Sequence, residues 1–374
     1  MNPYLLGGVG FTTMFVLFIM STQFGGTTEQ LRVGTSERSR NKNIREFRDA
    51  VLHPVEHFDH KYPGDAVVPP IHNMFARNTF NKFNKGGIRD NIWFLSVKNI
   101  LDVIKGKIGS KQMSNYILNA GCSASEADEL QDLTFPLLKA GYKSLNFDGP
   151  HWKDRLTKVY APFDVELEFG WLEPGKVTKL MEKHEVPKNI DLIKIDIDSF
   201  DCQLMTEILD TGYSPKAINI ELNTAFPPPV AHAMWWTPPN KEGVADGRPA
   251  NIVGNAGGDV ALETKWLHGC SLQYATDILE RRGYRLLQYM FTDGYFVRED
   301  MYEFFIEGGT IPTTPEDAYR IGNPNFYGKM PTENQMRWLG AKNKAETVND
   351  VWRVIREHVS EKHLEKLPFT IYIP

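Results

Sequence analysis

Ile190-Asp191-Leu192-Ile193-Lys194-Ile195-Asp196-Ile197-Asp198-Ser199-Phe200-Asp201 is an apolar β-type run that ends in carboxylates and passes at once into a helical pattern. In open α/β sheets the carboxyl ends of parallel strands and the following helix N-termini converge on the ligand crevice. Asp196, Asp198 and Asp201 are therefore the first candidates for chemistry. By the two-residue period of a strand, Asp198 faces the crevice if Asp196 does.

The neighbouring segments alternate in the same way. Upstream, residues 116–120 read as a short strand and 121–125 as a tight turn into a helix carrying Leu130, Leu133 and Leu137, with Ser123 and Glu126 as a capping box. Gly141 closes that helix, residues 143–147 form a second strand ending at Asp148-Gly149, and residues 165–169 a third. Pro174 starts a helix with Val177, Leu180 and Met181 on one face. Residues 192–197 are the fourth strand, a helix with Leu204, Ile208 and Leu209 stops at Gly212, and residues 217–222 are the fifth. A long interruption at 223–265 contains Pro227-Pro228-Pro229 and Trp235-Trp236, which can act as a lid or pack beneath a loop. A helix at 272–282 then leads to strands at 284–290 and 295–298, whose short link permits only an antiparallel pair. The pattern predicts an α/β Rossmann-like sheet, mostly parallel with its last strand antiparallel, and helices on both faces.

The whole chain bounds this reading. Its 374 residues suit one catalytic domain with extensions, and a formal charge of -5 gives no basic footprint for nucleic acid. Residues 4–20 are almost unbroken apolar sequence, close to the length that crosses a bilayer, with no charged side chain before Glu29. They read as a membrane anchor or a cleaved signal segment. The expected organisation is an anchor or signal segment at 1–24, a flexible stem at 25–46 and an irregular, partly helical extension at 47–110 with one amphipathic helix through Ile92 to Ile104. The catalytic-type domain follows at 111–300, interrupted by the 223–265 loop, and a C-terminal extension at 301–374 holds a helix near 345–359. A single-pass protein of the secretory pathway, such as the Golgi, is expected, or a secreted one if the first segment is removed. Cys122, Cys202 and Cys270 are too few for a disulfide scaffold. Cys122 and Cys202 follow strands expected to be neighbours, so they are either bridged or buried thiols.

With the strands placed, the residues resemble the FkbM-like methyltransferase family. The likeness is carried by Ile190-Asp191-Leu192-Ile193-Lys194-Ile195-Asp196-Ile197-Asp198 with Pro215-Lys216-Ala217-Ile218-Asn219-Ile220-Glu221-Leu222-Asn223, and resumes at Gly269-Cys270-Ser271-Leu272, Gly283-Tyr284-Arg285-Leu286 and Phe296-Val297-Arg298-Glu299-Asp300. The resemblance implies a class I S-adenosylmethionine-dependent enzyme acting on hydroxyl groups. In the cofactor loop, Asn119-Ala120-Gly121-Cys122-Ser123 keeps one glycine and has Asn119 where such enzymes carry an acid.

On that reading Gly121 admits the cofactor's amino acid part, Asp148 accepts hydrogen bonds from both ribose hydroxyls, and Asn119, Ser123 and Asp196 complete the cofactor side. Asp198 is the expected base for an acceptor hydroxyl. No metal is required, but Asp196, Asp198 and Glu221 together would suit a divalent cation. The acceptor is a small molecule, lipid or glycan. Two other classes stay open. Asp196-Ile197-Asp198 is also the D-x-D of membrane-anchored, metal-dependent glycosyltransferases. The altered cofactor loop leaves a non-catalytic binding domain as the third.

Overall fold

The computed structural model describes residues 95–122, 132–236, 267–290, 292–306, 314–323, 331–364 and 369–374. The apolar run at 4–20, the stem at 25–46, Ser123 with its capping box and residues 237–266 lie outside them. Among the described residues no helix is long and apolar enough to cross a membrane.

Helix α1 (Val97–Ile108) precedes the sheet, begins at a Ser96 cap that accepts from the Asn99 amide, and buries Val97, Ile100, Leu101 and Ile104. That three- and four-residue spacing puts one stripe against the core. The sheet consists of β1 (Tyr116–Ala120), β2 (Lys143–Asp148), β3 (Val165–Phe169), β4 (Leu192–Ile195), β5 (Ala217–Glu221), β7 (Tyr284–Met290) and β8 (Asp293–Arg298), with β6 (Ala231–Met234) outside it. Its order is β3-β2-β1-β4-β5-β8-β7. Strands β1 to β5 are parallel, and β8 runs antiparallel to both β5 and β7. This mixed α/β arrangement is the expected Rossmann-like sheet, mostly parallel, and the antiparallel last strand is the one expected. It enters the sheet between β5 and β7 because a two-residue link can only turn the chain back on itself.

Helices α2 (Phe135–Lys139), α3 (Lys153–Tyr160), α4 (Lys176–Lys183), α5 (Asp201–Asp210) and α6 (Leu272–Glu280) connect the strands. The core is built from residues such as Leu118, Ile193 and Ile218 of the sheet, none more than about one per cent exposed. At the amino end of β4, Asp191 accepts from Lys216 Nζ at 2.7 Å and from the amides of Ser114 and Asn115 at 3.0 and 2.8 Å. Both members of the pair are fully buried. The first acid of the diagnostic run is thus a structural tie at the end of the sheet opposite the crevice.

The expected division between an inserted loop and a C-terminal extension needs correction. After α7 (Glu299–Ile306), α8 (Pro315–Gly322), α9 (Thr332–Trp338), α10 (Lys344–His358) and α11 (Glu361–Leu364), the chain ends in β9 (Phe369–Tyr372), which pairs antiparallel with β6. Phe226, Val230 and Met234 share a second core with Trp338, Val351 and Ile355. Two four-residue strands more than a hundred residues apart carry too little pattern to be paired from sequence.

The cysteine expectation is corrected too. Cys202 is bonded to Cys270, and Cys122 is a buried free thiol. The segment 267–270 returns beside the start of α5, with the Gly269 amide donating to the Ser199 carbonyl at 2.6 Å. Such a return cannot be read from cysteine spacing.

Candidate functional site

Registers across the sheet align Asn146 of β2, Asn119 of β1, Lys194 of β4 and Asn219 of β5 in one row. All four are buried, on the face opposite Ile193, Ile195 and Ile220. Two residues further along the same face come Asp148, Gly121, Asp196 and Glu221, with Asp293 opposite Glu221. A buried polar row therefore lies beneath a row of carboxylates at the carboxyl ends of the strands. Where β1 and β4 lie side by side the chain direction of the crossovers reverses, and that is where open α/β sheets form their crevice.

Lys194 is the cation within this cluster. Its Nζ donates to the Gly121 carbonyl at 2.8 Å and to Asp196 Oδ2 at 3.1 Å. Burial opposes its charge, but Asp196 and Asp132 outweigh burial and hold the ammonium above its usual range. Asp132 is equally buried and accepts from Asn119 Nδ2 at 2.9 Å, from Thr134 Oγ1 at 2.7 Å and from the Tyr160 hydroxyl at 2.7 Å. Burial pushes its carboxyl up, while Lys194 and these donors more than compensate and keep it below the ordinary value.

This network relocates two residues expected on the cofactor side. Asn119 is fully buried and its amide is engaged by Asp132 and Thr134, so it lies in the core rather than on the crevice wall. Gly121 has φ +81°, and a Cβ built there would come within 1.7 Å of the Asp196 carbonyl oxygen. The close approach that requires glycine is thus to the neighbouring strand's backbone.

Asp148 ends β2, as expected, and its Oδ1 accepts from the Gly149 amide at 2.5 Å. Burial raises its carboxyl to about 7, against the lowering effects of that amide and of Lys194. A few residues on, the His151 ring lies 5.0 Å from the Trp152 ring and 6.1 Å from the Trp171 ring. Asp201 is no ligand candidate, since its two oxygens accept from the amides of Ile197 and Ser199 at 2.8 and 3.0 Å and so close the loop that leads into α5. Asp198 sits on that loop, exposed, with φ +56°.

The conditional metal set is also corrected. The atoms that converge belong to Asp198, Glu221 and His268, all within 4.8 Å of one another, whereas Asp196 is paired with Lys194. Burial and the surrounding charges of Asp198, Asp196, Asp201 and Asp293 push Glu221 well above the ordinary carboxylate range. Asp293 is raised to about 7 by burial and Asp196.

Trp235 does not form a lid. Its Nε1 donates to Thr370 Oγ1 at 2.8 Å on β9, and its ring meets Tyr274 edge-on at 6.2 Å. His184 pairs with Glu168 at 2.5 Å, away from the carboxylate row.

Lys194, Asp132, Asp293 and His268 were not singled out by sequence. Lys194 had a signal, being a charge in a strand otherwise apolar on both faces. His268 had none, because its position depends on the distant return of 267–270 to the sheet.

No family model matches the chain and no curated protein does. Among solved structures, one from Klebsiella pneumoniae provisionally assigned as an O-methyltransferase is similar at TM-score 0.29 and 11% identity, over 68% of this chain and 98% of that one. A likeness so distant says nothing about activity.

Proposed function

We propose that this chain is an S-adenosylmethionine-dependent methyltransferase acting on a hydroxyl group. The observation that carries the reading is the sheet order β3-β2-β1-β4-β5-β8-β7 with β8 alone antiparallel, which sets Asp148 and Asp196 on the two sides of its crevice. The residues fit the cofactor at the end of β2. Asp148 presents a half-buried carboxyl there, followed in the chain by His151, whose ring lies near those of Trp152 and Trp171. An ionised carboxylate can accept from two ribose hydroxyls at once. Bound cofactor would supply a methyl group on a sulfonium, and the protein's task is then alignment and removal of the acceptor proton. Asp198, exposed on the loop after β4, is the group assigned to that proton.

The sugar-transfer reading is less favoured. It needs Asp196 and Asp198 to share one cation, and Lys194 already engages Asp196. The Cys202–Cys270 bridge supports a compartment outside the reducing cytosol. With the apolar run at 4–20 it extends the proposal to a single-pass protein of the secretory pathway, whose acceptor is a glycan, lipid or small hydroxylated molecule.

Calorimetry with S-adenosylhomocysteine tests this. The protein should bind it without added metal, Asp148→Ala should weaken binding, and Asp198→Ala should leave affinity intact while lowering methyl transfer to a hydroxylated acceptor. Absence of binding to the intact protein would refute the proposal, and metal-dependent binding of uridine or guanosine diphosphate instead would point to sugar transfer.

A further inference from the structure

We propose that His232 is an acid sensor whose protonation releases the C-terminal strand β9 from β6. Strand β6 sets the imidazole between two rings, with Phe226 stacked on it at 4.4 Å and Phe369 of β9 tilted against it at 6.0 Å. The side chain is fully buried, and among the described residues neither ring nitrogen has a hydrogen-bond partner. An imidazolium there would be a buried charge with no acceptor, so the ring takes a proton only where it reaches water. Strand β9 is the piece that can leave. It forms a two-stranded sheet with β6, a weakly held arrangement, and its four residues are only half-buried.

No neighbouring charge offsets this burial. Among the described titratable groups only His268, on the 267–270 segment, acts on the ring, and it too opposes protonation. The acids of the packed elements are engaged elsewhere. Asp277 of α6 accepts from the Tyr372 hydroxyl at 3.2 Å, and Asp350 of α10 is tied to Arg337, Arg353 and the Trp338 indole. Burial opposes the charge of Asp350, but Arg353, Trp338 and Arg337 outweigh it and keep that carboxyl below the ordinary value. His358, at the end of α10, contacts the Val354 carbonyl at 2.8 Å. Burial, with His268, thus holds the His232 ring at about 3 against an ordinary 6.5.

A histidine lowered in this way favours the open state as pH falls below 6.5, by about tenfold in the opening equilibrium per pH unit until about 3. The central sheet responds in the opposite sense. Asp148, Asp201 and Asp293 are each raised to about 7 by burial, so their contributions grow as pH falls below 7. Acid therefore weakens the β6–β9 pair while these acids strengthen the sheet, which keeps the release local. It reaches the crevice because β6 also holds the 267–270 segment: the Met234 amide donates to the Gly269 carbonyl and the Ser271 amide to the His232 carbonyl, both at 2.8 Å. None of this depends on which reaction the crevice catalyses.

Hydrogen exchange of the full chain, followed by mass spectrometry and corrected for the intrinsic rate at each pH, tests this. Between pH 7.5 and 5, protection in the peptides covering 231–234 and 369–372 should fall about 30-fold, while protection in β1 and β4 holds. In His232→Phe and His232→Gln, which cannot take the proton, that fall should be absent, and circular dichroism at pH 7.5 shows whether each variant is folded. Unchanged protection of β9 in the unsubstituted protein would overturn the proposal. So would the same fall in either folded variant, or an equal fall in β1 and β4. Should neither variant fold, the profile of the unsubstituted protein decides alone.

Discussion

Replacing Asp148 by Asn should change how stability depends on pH. In the folded protein burial raises this carboxyl from 3.8 to about 7. An acid raised on folding keeps its proton in the native state while the unfolded chain has already released it. Its contribution is therefore fully present below about pH 4 and is lost as pH rises through 7. The gap between 3.8 and about 7 corresponds to about 4 kcal/mol, at 1.36 kcal/mol per tenfold change. An Asn side chain retains an oxygen for the Gly149 amide that Asp148 Oδ1 now accepts. D148N should thus match the unsubstituted protein near pH 4 and be more stable by an amount approaching 4 kcal/mol at pH 8. Urea unfolding of both proteins at pH 4.5, 6 and 8 measures this, and taking the difference cancels groups such as Asp293 that titrate in both. A difference constant from pH 4.5 to 8 would show that Asp148 is not desolvated in the native state and would remove the physical basis of its assignment.

Three other outcomes follow from the same contacts. Lys216→Met should destabilise by about 3–5 kcal/mol in urea unfolding, because it leaves the fully buried Asp191 without its counter-charge; a loss below 1 kcal/mol would mean that the amides of Ser114 and Asn115 suffice. Reduction of Cys202–Cys270, which spans 68 residues, should lower stability by about 4 kcal/mol from loop entropy, and an unchanged melting temperature under reductant would contradict this. Gly121→Ala should cost more than about 2 kcal/mol even without cofactor, since the added methyl meets the Asp196 carbonyl and the backbone is left-handed there. If only cofactor affinity fell in that variant, the glycine would serve the ligand and not the sheet.

Local pattern carried the central sheet. Residues 116–120, 165–169 and 284–290 were expected as strands and are β1, β3 and β7, and the expected β4 and β5 each end slightly early. Buried parallel strands write themselves as short apolar runs between glycines, so their existence is a local property. Asp148 at the end of β2 was legible for the same reason. Helix α3 passed unnoticed, because only Leu156 and Tyr160 of its eight residues are buried and the rest of the segment is charged or polar.

What the sequence alone determined is the order of elements and the acids at their ends, because periodicity and turn chemistry act over a few residues. Which of those acids meet one another was decided by the tertiary structure. Lys194 draws Asp196 toward β1, the network of Asp132 takes Asn119 into the core, and the returning segment at 267–270 carries His268 to Asp198 and Glu221. Each of these contacts joins groups on different strands or loops, and their pairing depends on sheet order and chain return, which no local pattern encodes.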